Sequence, residues 1–170
     1  MGISIISCIR SREAVPLWLI SITVVILDQL SKAVAVSSLR LHESIEVISG
    51  FFSITLVHNR GAAFGILSDM GQWRIIFFLV IAAIAVIAII LLYVRSRSRD
   101  IWLVCGCGLV LGGAAGNIID RLRFGYVIDF LDFYIKGYHW PAFNLADSAL
   151  CVGAFCLSIY ILKQESGEKR

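Results

Sequence analysis

Asp129 and Asp147 are the two side chains whose surroundings point to chemistry. Asp129 sits in "YVIDFLDFY" (126–134), and Asp147 heads a run from Ser148 to Leu162 that carries no charge. A carboxylate beside so much apolar sequence is costly. Two carboxylates that share a site cannot both ionise easily, so one keeps its proton while the other acts as base. Such a pair can activate a water against a peptide carbonyl and then protonate the leaving amine. The same residues also read as scattered structural acids, and the pattern alone leaves both readings open. For Asp147 the structural reading is specific. Asn144 is placed to cap a helix with Asp147 at its third position, where the helix dipole favours negative charge. Ser148 lacks an evident base, because His42, His58 and His139 all fall in loop sequence. There is no H-E-x-x-H helix and no G-x-S-x-G elbow.

Further polar groups accompany this pair. Asn117 and Asp120 are three apart, so a helix places them on one face, near Gly113 and Gly116. Asn117 reads equally as an inter-helix hydrogen bond or as a functional group. Asp120, followed directly by Arg121, reads as a structural ion pair. Gly108, Gly112 and Gly116 form a small-xxx-small stripe, which lets helix backbones approach closely in a membrane. Asp129 and Asp132 share a face if their segment is helical and point to opposite faces if it is extended. Cys105, Cys107, Cys151 and Cys156 fall in apolar runs, where a thiol is a small hydrophobe, and form no zinc or disulfide pattern. Cys8 is given no role.

The elements that must position these groups are membrane spans. Of the 170 residues 59% are hydrophobic, and the mean hydropathy is +0.87, far above the apolar share of a soluble domain. Stretches of about 20 apolar residues fit a bilayer. The predicted spans are about 14–32, 75–94, 101–119 and 146–162, in a single integral membrane domain covering 1–170. The first lacks a small-x-small cleavage site and reads as retained. Arg95, Arg97 and Arg99 crowd one short link, with Arg10 and Arg12 before the first span and Lys163, Lys169 and Arg170 after the last. That density predicts both termini in the cytoplasm. The outside loops then run over about 33–74 and 120–145. "IEVISGFFSITLVHNRGAAFG" has partial alternation about a Gly50 turn signal, which predicts a small hairpin or sheet at the membrane face. "NRGAAFGIL" adds a turn and a short amphipathic stretch. Tyr126, Tyr134, Tyr138 and Trp140 fit a belt at headgroup level. The fold class is therefore an all-α membrane protein of four transmembrane helices with a small extracytoplasmic β-sheet. A net charge of +3 with no basic–aromatic block is too little to argue for nucleic acid, and none is expected as a partner.

Five blocks occur in order: "LDQLSK" (27–32), "VHNRGAAFG" (57–65), "GGAAGNIIDR" (112–121), "YVIDFLDFY" and "WPAFNLADSA" (140–149). Together they resemble lipoprotein signal peptidase, the bacterial signal peptidase II, across all four spans and outside only the two tails. The resemblance implies an aspartic endopeptidase of the bacterial inner membrane with its site near the periplasmic face. It would remove the signal peptide from prolipoproteins carrying a diacylglyceryl group, cutting just before the lipidated cysteine. It implies Asp129 and Asp147 as the catalytic pair and Asn59, Asn117, Arg121 and Asn144 as substrate-binding residues. Asp28, Lys32, Gly61 and Asp120 are then supporting residues. It also implies a sheet in the first outside loop that cradles substrate. No metal or cofactor is implied. The partners expected are the lipid-modified precursor and membrane lipids, with no obligate protein partner. His58 and Arg60 flank Asn59 at positions expected to vary.

Two other classes compete. A proton-coupled carrier would place its acids near the midplane and repeat one half in the other. Here the acids lie at the outer ends and the halves do not match. A non-catalytic membrane chaperone would use the acids only to order helices. Asp28 reads as a buried acid that sets register rather than as a third catalytic group.

Overall fold

The structure is a computed structural model that describes residues 14–61, 73–96 and 100–168. Cys8, Arg10, Arg12, Arg97, Arg99, Lys169 and Arg170 lie outside the described residues, as does the amphipathic stretch expected beyond Gly61. The described chain forms α1 (Val15–Ser38), β1 (Ser44–Ile48), β2 (Phe52–Asn59), α2 (Trp73–Arg95), α3 (Ile101–Phe124), β3 (Val127–Ile135), β4 (Tyr138–His139) and α4 (Leu145–Glu168). All four helices are long and apolar enough to cross a membrane. The fold is therefore a four-helix membrane protein carrying a small antiparallel sheet of order β1-β2-β3-β4.

α3 is the central helix, and its glycines explain why. A Cβ on Gly108 would meet Ile20 and the Leu17 carbonyl, and one on Gly112 would meet the Ser21 carbonyl and Val24. Gly116 likewise faces Asp28, so the expected stripe packs on α1. A second set faces α4: Gly113 abuts the Ala146 carbonyl, and Gly106 approaches Gly153 and Leu157. Without a hydrophobic drive between helices in lipid, such close backbone approach is what holds the bundle together. α2 is different. Its mean hydropathy is 3.6 and none of its membrane-crossing stretch is buried, against 1.7 and 67% for α3.

α1 has Pro16 in its first turn, and α3 starts at Asp100, whose side chain accepts the Trp102 N–H at 2.8 Å. α3 stops at Gly125, whose φ of 76° is the left-handed conformation that glycine adopts without strain. The chain then turns into β3. The "YVIDFLDFY" segment, readable as helix or strand, is thus extended. Tertiary pairing decides it: β3 lies antiparallel to β2, with Asp129 opposite Val57 and Asp132 opposite Ser53. Gly50 makes the β1–β2 turn with φ 72°. Lys136 and Gly137, both at positive φ, close the two-residue turn between β3 and β4. The sheet is seated on the end of α1 through Ala35, Leu39, Leu56, Ile128 and Phe130. A larger apolar cluster of Leu17, Tyr93, Leu103, Cys107, Leu111 and Tyr160 holds the opposite end.

Candidate active site

The polar residues converge where the ends of α1 and α3, the start of α4, and strands β2 and β3 meet. Asn144 caps α4 as its sequence predicts. Its Oδ1 accepts the Asp147 N–H at 2.9 Å, and its own N–H donates to Asp147 Oδ2 at 3.3 Å. These are the reciprocal bonds of a capping box. The Asn144 amide group does more than cap. Its Nδ2 donates to Asp129 Oδ1 at 2.7 Å and lies 3.2 Å from both the Ile128 carbonyl and Asn117 Oδ1. One buried asparagine therefore touches both acids.

Each acid has a second amide partner. Asn59 Nδ2 donates to Asp129 Oδ2 at 2.8 Å, and Asn117 Nδ2 donates to Asp147 Oδ1 at 2.8 Å. Asn59 is held in turn by the Gly61 N–H, which donates to its Oδ1 at 2.7 Å. Gly61 has φ 82°, and a Cβ there would strike the Phe78 ring, so the position requires glycine. Asp129 is 1% exposed. Burial raises its pKa to about 7, and the nearby charge of Asp147 pushes the same way. The hydrogen bonds from Asn59 and Asn144 and the charge of Lys32 oppose that rise. A buried carboxyl that titrates near neutrality is suited to holding a proton for catalysis.

Behind the acids lies a buried ion cluster. Lys32 Nζ sits 2.8 Å from Asp28 and 2.9 Å from Asp120, and donates to Asn117 Oδ1 at 3.2 Å. All three ammonium hydrogens are thereby used. Asp28 accepts the Ala146 N–H and Asp120 accepts the Ile128 N–H, each at 3.0 Å. The cluster thus fixes the first turn of α4 and the start of β3, the two segments that carry the acids. Gln29 was not singled out from sequence. Its Nε2 donates to Asp120 at 2.9 Å and lies 3.2 Å from Asp28. Its place within "LDQLSK" was the available signal.

The expected pairing of Asp120 with Arg121 is not formed. Adjacent helical residues point about 100° apart, and Asp120 turns inward to Lys32. Arg121 instead donates to the Asn117 carbonyl at 3.2 Å and lies 4.8 Å over the Phe78 ring. Ser148 donates its hydroxyl to the Asn144 carbonyl at 3.0 Å. Asp132 is separate from the site, bonded to Thr55 and His139. Among the described residues, no group of three or more His, Cys, Asp or Glu could hold a metal ion.

The family model for signal peptidase (SPase) II matches residues 20–163. The chain belongs to the signal peptidase II family. A lipoprotein signal peptidase of Syntrophotalea carbinolica is 49% identical over 137 residues, covering 81% of this chain and 84% of that one. One of Coxiella burnetii is 45% identical over 160 residues, covering 94% and 97%. A solved structure described as a bacterial membrane enzyme superposes with a TM-score of 0.76 at 38% identity, covering 88% of each chain. A second, described in the same words, gives 0.75 at 39% identity, covering 85% and 91%. Like the family that it joins, this multi-pass membrane protein is a peptidase. The hydrogen-bonded group described above draws on all five sequence blocks.

Proposed function

We propose that this signal peptidase II is an intramembrane aspartic endopeptidase that removes the signal peptide from diacylglyceryl-modified prolipoproteins, cutting just before the lipidated cysteine. The observation that carries the reading is that Asn144 bonds both Asp129 and Asp147. The two acids are thus tied to one rigid group at the head of a membrane helix. Asp129, with its raised pKa, keeps the proton and polarises the scissile carbonyl. Asp147 takes a proton from the attacking water. The C–N bond of the resulting tetrahedral intermediate then breaks as the amine nitrogen receives a proton from the dyad.

Asn59, Asn117, Arg121 and Asn144 hold the substrate backbone, while Asp28, Lys32, Gly61 and Asp120 fix the groups that do so. No metal or cofactor enters the reaction. The chain acts as one domain in the bacterial inner membrane, with both termini cytoplasmic and the dyad near the periplasmic face. Its partners are the lipidated precursor and the surrounding lipids; no second protein and no nucleic acid are needed.

The test is cleavage of a lipidated precursor by Asp129→Asn and Asp147→Asn variants in detergent or lipid. Each exchange keeps the shape and removes one acid, so the rate should fall by about 10³-fold or more with folding retained, the scale of losing an essential acid–base group. Turnover near the wild-type rate in both single variants would eliminate the dyad. Activity should persist in chelator.

A further inference from the structure

A cavity of about 340 Å³ opens onto Asp129. Its walls are Val57, His58, Asn59 and Arg60 from the end of β2, with Pro141 and Ala142 from the segment that leads into α4. None of these residues belongs to a membrane-spanning helix. A peptide lying across the dyad leaves it in two directions. The apolar core of a signal peptide needs hydrocarbon around it, so it follows the helices. The direction through this cavity is left to the residues after the cut.

The charge at the mouth is one-sided. Arg60 is exposed and makes no ion pair among the described residues. The His58 ring stacks on Tyr126 at 4.0 Å between centroids. Partial burial lowers its pKa, helped by the charges of His42 and Arg60, which favours the neutral imidazole. The remaining walls, Val57, Pro141 and Ala142, are uncharged. Among the described residues that line the cavity, Arg60 is thus the one cation, and Asp129 the one acid.

We infer that this cavity is the subsite for the first residues after the lipidated cysteine, and that Arg60 biases it toward side chains bearing a carboxylate. The inference rests on the aspartic-peptidase reading above and adds a preference to it.

Three lipidated precursor peptides, identical except for Asp, Ala or Lys directly after the cysteine, test the inference. With the wild-type enzyme the Asp peptide should exceed the Lys peptide in kcat/KM by about fivefold, the scale of a partly exposed ion pair gained against a like-charge contact. Arg60→Gln should bring the ratio near one, and Arg60→Glu should invert it. High salt should shrink the wild-type ratio. Position 60 is on the surface, and thermal midpoints confirm that both variants are folded. A ratio near one in the wild type, or the same ratio in all three enzymes, overturns the subsite. Failure of the underlying reading looks different: the wild type leaves the Ala peptide intact, or Asp129→Asn cleaves it.

Discussion

Asp129 holds its proton at a cost that depends on pH. An acid whose pKa rises from 3.8 to about 7 on folding binds more protons in the native state than in the unfolded state between those values. Its contribution to stability therefore falls as pH rises through that window and levels off above it. Asparagine does not titrate, and its NH2 group only donates, so it can keep just one of the two hydrogen bonds that Asn59 and Asn144 donate to Asp129. Asp129→Asn removes this titration, so the thermal midpoint of the wild type should fall relative to that of the variant by several degrees as pH rises from 4 to 8. On the mechanism proposed above, Asp129 acts as the acid, so kcat/KM for a lipidated peptide should decline as pH rises through about 7. Both acids stand out in the sequence because a charge in apolar surroundings is conspicuous. Their hydrogen-bond partners were less visible. Arg121 illustrates the limit, since its next-door acid is the obvious partner by sequence and points elsewhere in space. The Asn59–Asp129 bond spans 70 residues of chain, and no local pattern encodes that.

The glycines of α3 set where the acids stand. A Cβ at Gly113 would come within 2.5 Å of the Ala146 carbonyl, directly before Asp147. Backbone cannot yield as a flexible side chain can. Gly113→Ala should therefore cost about 1–3 kcal/mol and lower kcat more than tenfold by displacing the head of α4. Gly137→Ala is the control: nothing lies within 4 Å, its φ is 81°, and the turn is remote from the dyad. It should lower the thermal midpoint slightly and leave kcat close to wild type. The four helices were legible because about 20 consecutive apolar residues are hard to read otherwise. The stripe at Gly108, Gly112 and Gly116 was legible from its spacing. The second glycine face was not, because Gly106 and Gly113 are seven apart and their partners, Gly153 and Leu157 for the first and Ala146 and Leu150 for the second, lie on another helix. β3 shows the same limit. A short apolar run suits helix or strand equally, and only its pairing with β2 resolves it.

At the scale of the molecule, one buried lysine joins α1 to the two segments that carry the acids. Lys32→Met would leave Asp28 and Asp120 buried without a counter-charge, which should destabilise the protein by about 3–5 kcal/mol. Adding Asp28→Asn and Asp120→Asn should recover most of that loss, because both asparagines still accept the backbone N–H groups of Ala146 and Ile128. Thermal unfolding of the single and triple variants in one detergent reads the difference. The five blocks made this convergence visible as a family pattern, whereas the sharing of Lys32 among three acceptors emerges only in three dimensions. α2 has the opposite character. It is soluble in hydrocarbon on almost every side, whereas α3 is soluble chiefly in its neighbours. Biogenesis then has a direction: α2 can partition into lipid unaided during synthesis, while α3, burdened with Asn117 and Asp120, becomes at home there only when α1 and α4 arrive to receive it.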